Sequence, residues 1–283
     1  MSSAATRVLF DEPGPKGRRR ILLLSILSVL AIAGVLGLGL YQFGVNGQLA
    51  ADRWTPFLRA DYILFLAQGA KGTFLATAVA AVFAFPFALL LALARLSTVR
   101  PISWVATAWI EVFRSIPMLL VVYFFLLALP GQPFNLTLPR FWMLVVPMIL
   151  VSSATTAEIF RAGINAVDRG QREAASAIGL SHAQTLRYVV IPQAVRLVLP
   201  SLVLALVSLL KDSTLGFVVS YNELQFQGKS LVAYTHFLVQ TYLIVAFIYV
   251  ALNFLLTQFA HALDRRMQRR ATSNRGSLTE MVE

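Results

Sequence analysis

Long apolar runs, broken by short clusters of charge, dominate the chain. Four of them, residues 21–40, 72–94, 141–157 with its continuation, and 230–260, contain no Asp, Glu, Lys or Arg. Two more, about 104–129 and about 197–220, each carry an acid and a base: Glu111 with Arg114, and Lys211 with Asp212. About 20 consecutive apolar residues, as a helix, cross a hydrocarbon layer about 30 Å thick. Backbone groups in lipid have to bond within their own segment, so helices are the expected form of stretches this long. The pattern predicts an all-α polytopic membrane protein of about six transmembrane helices.

Composition agrees and narrows the classes. Of 283 residues, 58% are hydrophobic and only 13% charged, and the mean hydropathy is +0.72. Soluble domains carry about 25% charged residues. The chain has no cysteine, which excludes thiol catalysis and thiolate metal sites. The net charge of +11 invites a nucleic-acid reading, but the charges sit in the loops. With the N-terminus in the cytoplasm, seventeen Lys and Arg fall on the inner side and five on the outer side. That asymmetry follows the positive-inside rule and puts both termini in the cytoplasm of a multi-pass plasma (inner) membrane protein. Basic loops against anionic lipid account for the charge without a nucleic-acid partner.

The expected organisation has a disordered basic arm over 1–20, a transmembrane helix over 21–40 and an external linker over 41–69. A transmembrane domain follows over 70–262, with a cytoplasmic loop about 164–196, and then a cytoplasmic tail over 263–283, disordered from about 271. A cleaved secretory signal is the alternative for the first span; twenty apolar residues exceed the usual 7–15 of a signal core and favour a retained anchor. In the linker, Arg53, Trp54, Arg59 and Tyr62 mix charge with interfacial aromatics, as an amphipathic surface helix would.

The long loop carries its own helix signals. Asp168 can cap a helix start with Gln171 three residues on, and Ser181 can cap another with Gln184 at the capping-box position. Gly179 suits a left-handed stop between them, and Pro192 is expected to interrupt the second helix as it re-enters the membrane. The product is a short helix, a sharp turn and a second helix. A DNA-binding helix-turn-helix has a similar outline, but tethering between two spans would hold it flat against lipid. A plain solvated connection would not need two capped helices.

Glu173-Ala174-Ala175, with Gly179 four residues beyond Ala175 and Val189-x-Ile191-Pro192 after nine more, resembles the EAA loop of bacterial ABC importer permeases. Flanking residues extend the resemblance to the polar amino acid, histidine and glutamate type subfamily: Gln68-Gly69 with Thr73, Glu111-Val-Phe-Arg114-Ser-Ile-Pro117, Glu158-Ile-Phe-Arg161-Ala-Gly163, Gly170-Gln171, Pro192-Gln193-Ala194, Pro200 and Lys211-Asp212-Ser213-Thr214-Leu215. The similarity covers about 69–262, and the extra first span resembles glutamate-type permeases of high-GC Gram-positive bacteria. The resemblance implies a five-helix type I importer core plus one N-terminal helix. It also implies a coupling helix near 169–179 that docks on a separate ABC ATPase, present in two copies. The permease would pair with itself or a second permease subunit, and an external substrate-binding protein would deliver a polar amino acid, glutamate or a relative of it. Glu173, Ala174, Ala175, Gly179 and Pro192 would form the ATPase-coupling loop. Glu173 could also brace the second helix through Arg187.

The chain lacks an engine of its own. The phosphate loop needs Gly, four residues, Gly, then Lys and Ser or Thr. Gly228-Lys229-Ser230 is the only partial match, and Glu223 stands where the first Gly belongs. No nucleophile elbow or metal cluster is present, and His182, His236 and His261 are scattered, so no catalytic residue, cofactor or metal is expected.

Ionisable groups within spans are costly, about 2.5–3.5 kcal/mol each on insertion scales, and so point to function. Glu111, Arg114, Lys211 and Asp212 are the candidates for the translocation path; the competing reading of these residues is ion pairing that merely holds helices together. Glu111 and Arg114 share one helix face, as do Glu158 and Arg161. For Glu158 and Arg161, near the inner end of their span, interfacial pairing is the expected role. Lys211 and Asp212 point in different directions and are each expected to find a partner on another helix. An ion-coupled secondary amino acid transporter is the main alternative function, although no internal repeat is evident. An intramembrane enzyme would need a nucleophile and base at matching depth, and none stands out.

Overall fold

The structure is a computed structural model and describes residues 14–279; the first thirteen residues of the expected N-terminal arm lie outside them. Every regular element among the described residues is helical. The chain divides into two compact units, residues 1–58 and 59–283.

In the first unit, helix α1 (Pro15–Val45) extends beyond the predicted span at both ends, so residues 15–20 are helical rather than disordered. Pro15 occupies the first turn, where its missing N–H leaves no bond unmade. No side chain of α1 is buried, and the helix is apolar on all sides, as a helix covered by lipid should be. A short helix α2 (Ala51–Trp54) and a 3₁₀ turn (Thr55–Leu58) follow. The Trp54 indole donates to the Gln48 carbonyl at 2.8 Å.

The second unit holds α3 (Ala60–Arg95), α4 (Arg100–Ser115), α5 (Met118–Tyr123, extended by a π turn over Phe124–Ala128) and α6 (Arg140–Ala166). After α6 come α7 (Arg169–Ala177), α8 (His182–Thr185) and α9 (Ile191–Asp212), with a π turn (Leu186–Val190) joining α8 to α9 and a 3₁₀ turn (Ser213–Phe217) closing α9. The last elements are α10 (Leu224–Thr235) and α11 (Leu238–Thr279). Among the described residues, five helical stretches are long and apolar enough to span a bilayer, and the bent pair α4–α5 would make a sixth.

Four expectations need correction. The run 104–129 is not one straight span: the chain bends by 98° between α4 and α5. Proline disfavours helical geometry in the residue before it, and Ile116, ahead of Pro117, is extended at φ −88°, ψ 125°. The run 230–260 is likewise broken, because His236 adopts a left-handed φ of 60° and separates α10 from α11. Conversely, Pro192 does not interrupt its helix. The chain passes it with the π turn over Leu186–Val190, and the wider turn takes up the missing bond and the bulk of the ring. Finally, α11 continues as a helix to Thr279, through most of the tail expected to be disordered.

The core forms where α3 meets α6. On α3, Ala76, Ala80, Ala84, Ala88 and Ala92 recur at every fourth position and are all fully buried. Residues four apart share one helix face, so the five alanines make a single smooth stripe. Towards the start of α6 the stripe meets Leu144, Val145 and Met148; towards its end, Ala157 and Phe160. Lipid offers no hydrophobic drive for helices to associate, so close van der Waals approach between small residues does that work. Leucine at position 80 should therefore wedge the pair apart. Ala80→Leu is expected to destabilise the protein by about 1–3 kcal/mol, seen as a lower thermal unfolding midpoint in detergent, whereas Ala67→Leu on the exposed face of α3 should leave the midpoint nearly unchanged.

Candidate functional site

The connection between α6 and α9 is a rigid projection rather than a loop. Asp168 caps α7 by accepting from the Gly170 N–H at 2.7 Å. Gln171 does not complete a capping box; its side-chain oxygen accepts instead from Gln193 at 3.1 Å, tying α7 to the start of α9. The C-terminus of α7 is closed on both orphan carbonyls. Leu180 N–H donates to the Ala175 carbonyl at 3.1 Å and Gly179 N–H to that of Ser176 at 3.0 Å. This double closure requires a left-handed residue, and Gly179 supplies it at φ 82°. Ser181 and Gln184 then form the expected capping box, with bonds of 3.3 and 2.9 Å.

The resulting knob turns Ala175 inward and leaves Glu173, Ala174, Gly179 and Pro192 exposed. Ile178 stands at its tip, 78% exposed. The expected brace from Glu173 to Arg187 does not form: the Arg187 guanidinium lies over the Tyr188 ring, 5.5 Å from its centroid. Bracing comes from the neighbouring Arg172, whose Nη2 donates to the Ile164 carbonyl at the end of α6.

A chain of charges gathers where α3, α4 and α6 meet. The Glu158 carboxylate accepts from Arg95 at 2.7 Å and from Arg161 at 2.7 and 2.9 Å, and Arg95 also donates to Glu111 at 2.9 Å. Glu158 and Arg161 thus pair within one helix face, as expected. Glu111 does not pair with Arg114; its partner is Arg95, one helix away, and Arg114 stays exposed. Arg95 and Glu158 are 22% and 19% exposed, so their attraction is only partly screened by solvent.

Lys211 and Asp212 lie elsewhere. Leu209 packs with Leu144 near the start of α6, about 20 Å along that helix from Glu158 at 1.5 Å per residue. Lys211 is exposed and Asp212 half-buried, and among the described residues neither forms an ion pair. The partners expected for them on other helices are not found. The four candidate path residues therefore fall into two places rather than one. No group of three His, Asp or Glu is placed to hold a metal among the described residues.

Glu223 is the residue that motif reading missed, having weighed it only as a misplaced position in a phosphate loop. Its side chain is fully buried and caps α10 by accepting from the Gln225 and Phe226 N–H groups at 2.8 and 2.6 Å. The Tyr249 hydroxyl of α11 donates to the same carboxylate at 2.8 Å. Around it, Leu224 N–H donates to Thr73 Oγ1 at 3.1 Å and Tyr221 O–H to the Gly72 carbonyl at 3.1 Å. Gly72 admits no β-carbon there, because the Asn222 carbonyl occupies its place. An acid immediately before a helix was the available signal.

Burial pushes the Glu223 carboxyl up to about 7, against the three donors that favour its ionised form. A carboxyl whose folded value lies above its unfolded one stabilises the fold fully below the unfolded value, and that contribution fades as pH rises through the folded one. The thermal midpoint of the purified chain should accordingly fall between about pH 4.5 and 7. Glu223→Gln should flatten the profile in that window; an unchanged slope would mean that Glu223 does not titrate there.

Residues 84–269 match the family described as binding-protein-dependent transport system inner membrane component. The chain is 32% identical to the glutamate transport system permease protein GluD of Corynebacterium glutamicum, over 79% of this chain and 82% of that protein. It is also 32% identical to the arginine transport system permease protein ArtQ of Bacillus subtilis, over 73% of this chain and 94% of that one. Among solved structures, an amino acid ABC transporter with histidines aligns with a TM-score of 0.69 at 32% identity, covering 75% of this chain and 98% of its own. The MetNI methionine ABC transporter in an inward-facing conformation shares the fold, with a TM-score of 0.61 at 19% identity over 74% of this chain and 98% of its own. With this family match and these identities, the chain belongs to the binding-protein-dependent transport system inner membrane components, the permeases of ABC importers.

Proposed function

We propose that the protein is the translocating subunit of an ATP-driven importer of polar amino acids, worked through the α7–α8 knob by a separate ATPase. The observation that carries this reading is the knob itself. A helix capped at both ends, pinned by Arg172 and Gln171 to the two flanking spans, transmits a push instead of absorbing it. Glu173, Ala174 and Gly179 form its docking end, with Ala175 packed behind them, and Pro192 follows the π turn where it joins α9. Two ATPase copies act on two permease subunits, self or sister, around a central path. Closing of the ATPases on ATP moves the knobs and turns the path from inward- to outward-facing, where a binding protein delivers its cargo. The lysine and arginine asymmetry supports a cytoplasmic knob and cytoplasmic termini.

The relatives are permeases for glutamate and arginine, which share the α-amino and α-carboxylate groups and a polar side chain. Glutamate or a related amino acid is the substrate we favour, with GluD the supporting relative. Lys211 and Arg114, exposed and outside any ion pair among the described residues, are available to meet carboxylates along the path; Asp212 is suited to the ammonium. Glu111, already held by Arg95, serves chiefly to position α4.

Proteoliposomes holding this chain with its ATPase and binding protein test the reading. Uptake of labelled glutamate should follow ATP and ignore ionophores; the reverse would favour an ion-coupled secondary transporter. Gly179→Val forces a β-branched residue into a left-handed turn and should lower transport-coupled ATP hydrolysis at least about tenfold, with Glu173→Lys acting in the same direction. Lys211→Met should abolish uptake while leaving assembly intact. Reporter fusions that put Ala175 on the outer face would overturn the proposal.

A further inference from the structure

The exposed face at the start of α9 carries two arginines and no acid. Arg187, in the π turn, and Arg196, in the second turn of α9, are both exposed. Among the described residues neither enters an ion pair, and from His182 to Leu210 the chain has no Asp or Glu. The Arg187 guanidinium lies over the ring of Tyr188, which is itself 62% exposed. Pro192, Arg196 and Pro200 follow at four-residue intervals, all exposed, so they continue one edge of the helix. No charge comes after Arg196 until Lys211, and Leu197 and Leu204 lie exposed two turns apart on one face. The depth suits a headgroup. The stretch His182–Phe217 is long and apolar enough to span a bilayer. From Arg196 to Phe217 it measures about 31 Å at 1.5 Å per residue, close to the thickness of the hydrocarbon layer. Arg196 therefore stands where hydrocarbon gives way to headgroups, and Arg187 and Tyr188 follow on the polar side.

We propose that this face is a binding site for an anionic phospholipid, with its headgroup taken by Arg187 and Arg196 and an acyl chain laid along Leu197 and Leu204. A guanidinium only donates, and its planar fork matches two phosphate oxygens at once. Two unpaired arginines repel the cation of a zwitterionic headgroup, so they favour one whose net charge is negative. Tyrosine, with an apolar ring and a polar tip, is enriched at this level of a membrane protein. A free anion would satisfy the arginines and leave the leucines beside them uncovered. A lipid covers both, and that continuity of charge with apolar surface selects it. The binding requires only that the chain lies in a membrane. Its consequence rests on the function proposed above: Pro192, where the knob joins α9, lies between the two arginines, so a bound lipid holds that joint to the bilayer.

The full chain in nanodiscs, without ATPase or substrate, tests the site. Phosphatidylglycerol is stepped into phosphatidylcholine at constant ionic strength, the lipid retained by the released chain is counted by native mass spectrometry, and the thermal midpoint is followed. Phosphatidylglycerol is expected to stay bound and to raise the midpoint saturably. Arg187→Gln and Arg196→Gln should each raise the half-saturating fraction about fivefold, the equivalent of about 1 kcal/mol per arginine near an anionic surface. The double variant should abolish the effect. Arg100→Gln, which removes an exposed arginine from the start of α4, should leave it unchanged. A response that Arg100→Gln weakens equally is general surface charge. One that ignores positions 187 and 196 puts the lipid elsewhere and leaves this face to a protein partner. An equal rise from inorganic phosphate in pure phosphatidylcholine makes the ligand a free anion. Each of these results, and the absence of any lipid response, overturns the proposal. Failed uptake in the reconstituted transporter would bear on the function alone and leave the lipid result standing.

Discussion

The contact between α3 and α6 is made by alanine, and the site geometry follows from how closely the two helices approach. Five fully buried alanines keep the α3 side of the contact to methyl groups over some four turns, and α6 packs its larger side chains against them. The approach carries Arg95, three residues beyond the last alanine, to within 2.7 Å of Glu158. It also sets the direction in which α6 delivers the chain into α7. A bulkier stripe would hold the same helices apart, open the charge cluster and tilt the knob. The polar machinery of this protein is thus positioned by its least polar surface.

Breaks in the helices do as much as the helices. Pro117 ends α4, and the chain turns through 98° into α5; the turn between α3 and α4 already lays Glu111 against Arg95. His236 separates α10 from α11, and the resulting short helix is held by Glu223, whose carboxylate bonds to both its own helix start and Tyr249. The π turn before Pro192 has the opposite effect, since it preserves a continuous path from the knob into α9. α7 is thus tied to the spans at two points, through Gln171 to α9 and through Arg172 to α6. The two caps and the glycine turn keep the knob from unravelling along the way.

Much of the site could be read from residues in order. The Ser181–Gln184 capping box, the Gly179 turn and the Glu158–Arg161 pair are interactions within a few residues, where local geometry leaves few choices. Long-range partners could not be read so. Glu111 lies three residues from Arg114 yet pairs with Arg95, and Glu173 lies within reach of Arg187 in a drawing but not in the fold. In the sequence Glu223 marked only a mismatch to a phosphate loop, and only the arrival of Thr73, Tyr249 and Gly72 from two other helices makes it a buried organising group.

Apolar run length and charge asymmetry determined on their own that the chain is a helical membrane protein, because lipid forces backbone bonds to close within each run, and the pattern Glu173-Ala174-Ala175 with Gly179 carried its resemblance to the ABC importer permeases. Tertiary structure decided where the runs bend. Pro86, Pro147 and Pro200 stay inside helices, while Pro117 stands at a sharp turn. All four remove the same hydrogen bond and add the same ring. Whether a helix continues past a proline depends on the packing that neighbours offer the residues on either side, and those neighbours are remote in the chain.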